Sequence, residues 1–318
     1  MMKYVTQNQR QNQTLKKHKK TKNNKTIKGK KYNNKIMKKV NCSPKNKKEV
    51  NNYTCYTDKS LFKLRDLWNN RHPDVKIVTN GPKEIYNNLK KYLSNVCNKE
   101  SCWLKQGIFG KIDRELSSSF APESPKEWLK NPNEWLTSID IINVMKQYEK
   151  AYKCFDFIGP SPIDFDTRKL YGECVWNELC NFSIVDQIKN GKTKIGIILN
   201  TDPHNKPGEH WVSMFINISK KEIFYFDSTG DKASKEVNSF VNRIKEQGLK
   251  MNPPILFKYD SNEGVEHQYG NTECGMYALY FILHMLEDKI TSYYLKKHIL
   301  KDNYVNKFRK IYFNQSLL

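Results

Sequence analysis

The sequence predicts an α+β fold in which a central mixed sheet is flanked by helices. Two patterns support this prediction. After residue 172, apolar strand patterns alternate with helical patterns, as expected when strands and helices share one layered domain. A long apolar helix pattern also begins at Cys274, after a loop that is rich in Gly and Asn. The basic residues gather at the N-terminus, so most of the charge belongs to a tail rather than to this fold.

The 318-residue chain carries a formal net charge of +22. Residues 1–50 contain 17 Lys or Arg and one acidic residue, a net charge of +16, with few apolar residues. Such a segment cannot bury enough surface to offset the entropy of ordering, so we predict that 1–50 is a disordered basic tail. A tail of this kind binds nucleic acid or another polyanion by counterion release, or it only keeps the protein soluble.

Residues 51–130 are predicted to form a helical N-terminal region. Apolar residues recur at helical spacing over 61–68 and again over 85–96, with a proline-containing turn between the two patterns. The segment 105–133 is rich in Gly and Pro and is expected to be mostly loop.

The eight cysteines follow no regular framework. The N-terminus lacks the apolar core of a secretion signal, and no run of 18 apolar residues predicts a membrane span. We therefore expect reduced thiols. A zinc site built from Cys55, His72, Cys97 and Cys102 is an alternative, but no CxxC pair supports it, so no metal and no organic cofactor is expected.

Residues 131–318 are predicted to form the main domain. A helix is expected to open near Trp135-Leu136 and to run to Tyr148, followed by a turn-rich link over 156–166. The later elements are strands at 195–199, 210–218, 222–228 and 255–257, and helices at 237–244, from Cys274 onward, at about 291–300 and at about 302–312.

Cys274 occupies the first turn of the predicted apolar helix. The positive end of the helix macrodipole favours the thiolate there, especially if a cation lies nearby. Since the thiolate is the nucleophile, this is a suitable position for a reactive cysteine. A buried free cysteine at the start of a core helix is the alternative interpretation.

A cysteine nucleophile needs a base, a group that orients the base and donors for the oxyanion. His210 begins one predicted strand and Asp227 ends the next, so an antiparallel hairpin would bring them to the same sheet edge. The imidazole would then lie between the carboxylate and Cys274. Gln268 precedes Cys274 by six residues, and its amide can donate to the substrate carbonyl together with the Cys274 backbone N–H.

Each of these residues also has a structural interpretation. A histidine at a strand start, an aspartate before a turn and an exposed glutamine are all common. The rival bases are His204, His267 and His284. None of them is followed by a strand that ends in an acid, as His210 is.

The residue set resembles the SUMO-specific protease superfamily, which includes the adenovirus protease. The resemblance rests on three motifs: His210-Trp211, Asp227-Ser228, and Gln268 followed by Glu273-Cys274-Gly275. Residues 199–212 look most similar to the polyprotein-processing cysteine proteases of African swine fever virus and giant DNA viruses. The resemblance covers about residues 130–312, and it extends over 55–130 for the viral branch.

The resemblance implies a thiol endopeptidase that cleaves structural polyproteins after Gly-Gly during virion maturation, in the virion and the host cytoplasm. Trp135 and Trp211 would flank a slot too narrow for any Cβ, although Trp135 can also be a core anchor. Cys274, His210, Asp227 and Gln268 take the catalytic roles already described. The alternatives are a protease that deconjugates host SUMO or ubiquitin, and a basic nucleic-acid-binding virion protein with an inert protease fold.

Overall fold

The computed structural model describes residues 42–44, 51–107 and 114–314. The tail predicted over 1–50 therefore lies mostly outside the described residues. Residues 42–44 are an exception, because Cys42 forms a β-bridge with Phe120 and the Ser43 backbone N–H donates to the Ser119 carbonyl at 3.1 Å. These three residues belong with the folded region rather than with a tail.

The N-terminal part consists of short helices, most of which pack around a core of their own. The elements are α1 (Asp58–Arg71), α2 (Pro82–Leu93), α3 (Glu100–Trp103), α4 (Arg114–Ser117) and a 3-10 helix (Lys126–Leu129). Leu61, Leu64 and Trp68 of α1 are buried beside Ile85 and Leu89 of α2. The apolar spacing in the sequence therefore marks the faces on which these two helices meet.

Five strands form one mixed sheet in the order β1-β2-β3-β4-β5. The strands are β1 (Phe155–Pro162), β2 (Lys194–Asn200), β3 (Trp211–Asn217), β4 (Glu222–Phe226) and β5 (Lys258–Ser261). The central pairs β2–β3 and β3–β4 are antiparallel, whereas the edge strands β1 and β5 pair in parallel with β2 and β4. The predicted α+β fold with a central mixed sheet is confirmed.

Helices cover both faces of this sheet. They are α5 (Ser138–Ala151), α6 (Asn177–Cys180), α7 (Ile184–Lys189), α8 (Lys235–Leu249), α9 (Cys274–Leu286), α10 (Ser292–Lys297), α11 (Asp302–Asn306) and α12 (Arg309–Tyr312). Ile198, Phe215 and Phe224 belong to the core shared with α9, while Ile197 and Met214 belong to the core shared with α8. Alternate strand residues thus point to opposite layers.

The central helix α9 is buried along its whole length. It crosses the sheet at Gly196 of β2, where an added Cβ would lie 2.6 Å from Ile282 and 3.0 Å from Phe155. Glycine at this position therefore permits the close approach of α9 to the sheet. No helix within the described residues is long and apolar enough to cross a membrane.

Two elements differ from the sequence prediction. The segment 156–166, expected to be a turn-rich link, contains β1, which has a register shift between Ile158 and Ser161. Prolines are tolerated there because β1 is an edge strand. The strand expected at 255–257 begins instead at Lys258, since the Ile255 backbone N–H bonds to the end of α8 at the Gly248 carbonyl.

The expectation of reduced thiols is wrong for six of the eight cysteines. The structure pairs Cys42 with Cys55, Cys97 with Cys102, and Cys174 with Cys180, with Cα–Cα distances of 5.1, 5.6 and 6.3 Å. These Cα–Cα distances are within the range of disulfide bonds. The two cysteines of each pair are close in the chain, so local turns bring them together. Because Cys55, Cys97 and Cys102 are all disulfide-bonded, they are not arranged as ligands of the alternative zinc site. Cys154 and Cys274 remain as free thiols.

Candidate active site

Cys274 is the first residue of α9, and its side chain is buried. The preceding Glu273 supplies the carbonyl that accepts the first helical hydrogen bond, from Tyr277, but makes no side-chain cap. The N–H groups of the first turn are therefore directed at the region around the thiol. Gly275 is required beside it, because a Cβ would lie 2.9 Å from Leu136 and 3.3 Å from Trp211.

The β3–β4 hairpin brings His210 and Asp227 together. Ser213 pairs with Phe226, so the residue just before β3 and the residue just after β4 lie at one sheet edge. Nε2 of His210 lies 2.7 Å from Oδ1 of Asp227. The sequence predicted this arrangement, because a strand that begins at a histidine is followed by a strand that ends at an aspartate. The other ring nitrogen of His210, Nδ1, is available to the Cys274 thiol.

The electrostatics of His210 favour its charged form. Burial alone lowers the pKa of His210, but the hydrogen bonds and negative charges of Asp227 and Cys274 outweigh burial and raise that pKa from 6.5 to about 10. The imidazole is therefore protonated at neutral pH. A protonated ring beside a cysteine is the arrangement in which a thiolate is stabilised as a nucleophile.

Asp227 is held in place by two residues that sequence reasoning missed. Its Oδ1 also accepts from the Thr229 backbone N–H at 2.9 Å and from the Thr229 hydroxyl at 2.8 Å. Asn262 accepts from the Asp227 backbone N–H at 2.9 Å and donates to its carbonyl at 2.6 Å. The Asp-Ser-Thr-Gly sequence could have indicated the Thr229 contact as an Asx-turn, but Asn262 carries no local signal.

Gln268 is buried rather than exposed. Its Oε1 accepts from the Ser228 hydroxyl at 2.7 Å, and its Nε2 donates to the Gly270 carbonyl at 2.9 Å. One N–H of this amide is still available to a ligand. The Ser228 contact joins Gln268 to the residue next to Asp227, so the amide and the His–Asp pair form one connected unit.

Trp135 and Trp211 lie on segments that meet at the start of α9. The Trp211 indole N–H donates to the Leu136 carbonyl at 3.1 Å, and both Leu136 and Trp211 border Gly275. Trp135 itself is 39% exposed, which is more than a core anchor would show. The Trp135 indole, next to the residue that borders Gly275, is therefore exposed enough to contact a ligand.

The rival histidines are located elsewhere and have other partners. His204 binds Asp164 in an exposed loop, with Nδ1 and Oδ2 2.6 Å apart. Burial lowers the pKa of His267 to about 4 and, with the positive charge of Lys289, that of His284 to about 3. Both are therefore neutral at physiological pH. Across the described ranges, no group of three or more His, Cys, Asp or Glu residues is arranged to hold a metal ion.

Together, the fold and this site are those of a cysteine protease, and the fold is of the SUMO-protease type. Residues 189–317 match the Ulp1 protease family, C-terminal catalytic domain. This region contains His210, Asp227, Gln268 and Cys274, whereas Trp135 lies outside it. Residues 189–317 are therefore similar to a Ulp1-type catalytic domain.

Individual relatives come from large DNA viruses. The chain is 28% identical over 298 residues to a protein of Acanthamoeba polyphaga mimivirus named as a thiol protease, covering 86% of this chain and 92% of that protein. It is 26% identical over 249 residues to the cysteine protease of African swine fever virus, covering 71% and 86%. The crystal structure of the latter enzyme superposes with a TM-score of 0.60 at 24% identity, over 73% of this chain and 89% of that one.

Proposed function

We propose that this cysteine protease cleaves structural polyprotein precursors after Gly-Gly during virion maturation. The observation that carries the proposal is the partly buried His210–Asp227 contact at 2.7 Å next to Cys274 at the start of α9. The relationship to proteases of two large DNA viruses supports a viral role. The expected location is accordingly the virion and the host cytoplasm where virions assemble.

Each residue has a role in the proposed mechanism. The Cys274 thiolate attacks the scissile carbonyl carbon, and the His210 imidazolium then gives its proton to the departing amine. Water, deprotonated by the now neutral His210, attacks the thioester carbonyl, the Cys274 thiolate leaves, and the thiolate–imidazolium pair is restored. Asp227 keeps the ring oriented and stabilises its positive charge.

The oxyanion of each tetrahedral intermediate needs donors that are fixed before the reaction. The backbone N–H of Cys274 belongs to the unsatisfied first turn of α9 and is one donor. The free N–H of the Gln268 amide is the second, because Ser228 and Gly270 already fix the other groups of that amide.

The proposed glycine preference would come from a narrow approach to Cys274 between Trp211 and Trp135. Trp211 and Leu136 lie so close to Gly275 that a single added Cβ would contact both. Trp135, the exposed neighbour of Leu136, would form the opposite wall of the substrate slot. A substrate Cβ near the scissile bond would have to displace one of these indoles, so glycine is favoured.

Deconjugation of SUMO is the second candidate. One of the African swine fever virus relatives is named a SUMO-1 cysteine protease. The chemistry is the same, because ubiquitin-like proteins also end in a Gly-Gly segment, so the substrate alone distinguishes the two functions.

Purified protein should be incubated with peptides containing Gly-Gly-Xaa, Ala-Gly-Xaa or Gly-Ala-Xaa and, separately, with SUMO and ubiquitin conjugates. The proposal expects cleavage of the Gly-Gly peptide, with at least about tenfold lower kcat/KM for either alanine peptide. Cys274→Ala serves as the inactive control, and Cys154→Ala should retain full activity. Cleavage of SUMO conjugates without any cleavage of Gly-Gly peptides would favour the second candidate.

The basic N-terminus is proposed to bind nucleic acid or another polyanion without taking part in catalysis. Residues 1–38 contain 13 Lys or Arg and no acidic residue. Deleting them should weaken DNA binding and remove most of its salt dependence. The same deletion should leave turnover of a short neutral peptide unchanged, and a collapse of that turnover without DNA would contradict this division of roles.

A further inference from the structure

Three polar residues near the C-terminus, Asp302, Asn306 and Arg309, are spaced by four and then three residues across α11 and α12. This spacing directs all three toward the same side. Each binds a different segment of the active-site region, and none of them takes part in the proposed chemistry. The sequence predicted a helix at about 302–312, but it did not show which segments these three residues contact.

Arg309 binds the segment that leads into Trp135. Its guanidinium donates to the Glu134 carbonyl at 2.9 Å and to the Asn133 carbonyl at 3.3 Å. It also lies over the Trp128 ring, 4.4 Å from the centroid. Arg309 is only 4% exposed, so this arginine is a fixed buried group rather than a mobile surface cation.

Asn306 connects Arg309 to the residue before Cys274. Its Oδ1 accepts from Nε of Arg309 at 3.1 Å, and its Nδ2 donates to Oε1 of Glu273 at 3.1 Å. Burial raises the pKa of Glu273, but hydrogen bonds from Thr272 and Asn306 and the charge of Arg309 lower it below its ordinary value overall. Glu273 is therefore ionised, and this carboxylate is bound just before the start of α9.

Asp302 fixes the loop that carries Gln268. Its Oδ2 accepts from the Tyr269 N–H at 3.1 Å and from the Gly270 N–H at 2.9 Å. Its Oδ1 accepts from the Tyr277 hydroxyl of α9 at 2.8 Å. Since the Gln268 amide donates to the Gly270 carbonyl, Asp302 also constrains the amide that is proposed to bind the oxyanion.

Arg309 is connected to the start of α9 through Asn306 and Glu273. Burial lowers the pKa of Arg309 to about 10, while Glu273, Glu134, Cys274 and Asp140 each oppose that decrease. The guanidinium thus remains charged at neutral pH. Because Glu273 directly precedes Cys274, this fixed positive charge acts on the first turn of α9 through the Asn306–Glu273 contact.

We propose that Asp302, Asn306 and Arg309 form a positioning element that fixes the Trp135 segment relative to Cys274, with Arg309 as its central residue. By holding the segment that leads into Trp135 and the residue that precedes Cys274, the element sets the selectivity for glycine and supports the reactive thiolate. The selectivity part rests on the proposed Gly-Gly function, whereas the thiolate part does not depend on any substrate.

The experiment uses Arg309→Gln, Arg309→Lys and Asn306→Ala, with the exposed neighbours Lys310→Gln and Asn303→Ala as matched controls. The first readout is the rate at which iodoacetamide alkylates Cys274, located by peptide mass spectrometry. Arg309→Gln should lower this rate at pH 7 by about threefold to tenfold, and Arg309→Lys should restore most of it because the positive charge is retained.

The second readout is the ratio of kcat/KM between the Gly-Gly and the Ala-Gly peptides. This ratio should fall about tenfold or more in Arg309→Gln and Asn306→Ala, because the Trp135 segment is no longer held. Arg309→Lys should recover it only partly, since an ammonium cannot reproduce the forked contact to two carbonyls. The control variants should match the unmodified protein in both readouts.

Thermal melting identifies variants that fail to fold, and Asn306→Ala carries the test if Arg309→Gln is one of them, because Asn306 is less buried. If no peptide is cleaved even by the unmodified protein, the Gly-Gly proposal fails, while the alkylation rates still decide whether the element supports the thiolate. Folded Arg309 and Asn306 variants that match the controls in alkylation rate and in selectivity would overturn the inference.

Discussion

His204 and His210 lie on the same connection between β2 and β3, and each binds a carboxylate at nearly the same distance. The contact of His204 with Asp164 is 2.6 Å, and that of His210 with Asp227 is 2.7 Å. Their surroundings differ. The side chains of the first pair are 43% and 18% exposed, whereas those of the second are 21% and 3% exposed.

The second difference is what lies around each carboxylate. Asp227 is bound by Thr229 and clamped along its backbone by Asn262, and its histidine also contacts Cys274. Asp164 instead accepts from the His204 backbone N–H and closes a loop. A His–Asp contact is therefore not sufficient to define a catalytic site. Burial, a fixed carboxylate and a thiol on the other side of the ring distinguish His210.

The largest expected effect comes from replacing the two histidines. His210→Ala should lower kcat/KM on a Gly-Gly peptide by about 10³-fold to 10⁴-fold, since it removes both the base and the acid. His204→Ala should change it by less than about twofold, because that ring contacts no proposed catalytic group. Steady-state kinetics on both variants measures this difference. Similar losses of kcat/KM in His210→Ala and His204→Ala would contradict the assignment of His210 as the only catalytic histidine of the two.

Gln268 belongs only to the His210 side, through Ser228. Gln268→Ala should lower kcat by about 10²-fold to 10³-fold with little change in KM, because an oxyanion donor acts mainly in the transition state. Ser228→Ala should give a smaller loss, as it loosens the amide without removing it. A change below about threefold in kcat for Gln268→Ala would exclude it as the oxyanion donor.

The two carboxylates provide the next comparison. Asp227→Asn should lower kcat/KM by about tenfold to 100-fold, a milder loss than His210→Ala, because an amide oxygen can still accept from the imidazole but contributes no charge. Asp164→Asn should be neutral for peptide cleavage. Equal losses for Asp227→Asn and His210→Ala would mean that the charge of Asp227 is indispensable.

The pH dependence of stability provides the smallest expected difference. The pKa of His210 is raised from 6.5 to about 10, so the folded state binds this proton more tightly than the unfolded state does. The resulting stabilisation is fully present below about pH 6.5 and is lost as the pH rises through about 10. Melting temperatures between pH 6.5 and 10 should therefore decline less steeply in His210→Gln than in the unmodified protein. His204→Gln is the control, and identical slopes for all three proteins would contradict the raised pKa.

The sequence was informative where a pattern is local. The β3–β4 hairpin follows from two adjacent apolar strands, and its ends bring His210 and Asp227 together. The start of α9 at Cys274 follows from a Gly-rich loop that precedes a long apolar run. These elements are specified by residues that are close in the chain, so their relative geometry can be derived before the structure is known.

The rest depends on contacts between distant segments. Asn262 reaches Asp227 across 35 residues, and Arg309 reaches Glu134 across 175 residues. The disulfide partners could not be derived from cysteine spacing either, because several pairings are compatible with one sequence. The edge strand β1 was missed because Pro160 and Pro162 suggest turns unless the strand is known to lie at an edge.

The central claim is that Cys274 is activated by His210 and not by any other histidine. A Gly-Gly peptide that carries a C-terminal electrophile tests this claim most directly, with the labelled residue identified by peptide mass spectrometry. The account predicts labelling at Cys274 alone, at similar rates in the unmodified protein and in His204→Ala, and at least about 100-fold slower in His210→Ala. Labelling at Cys154, or an unchanged rate in His210→Ala, would contradict it.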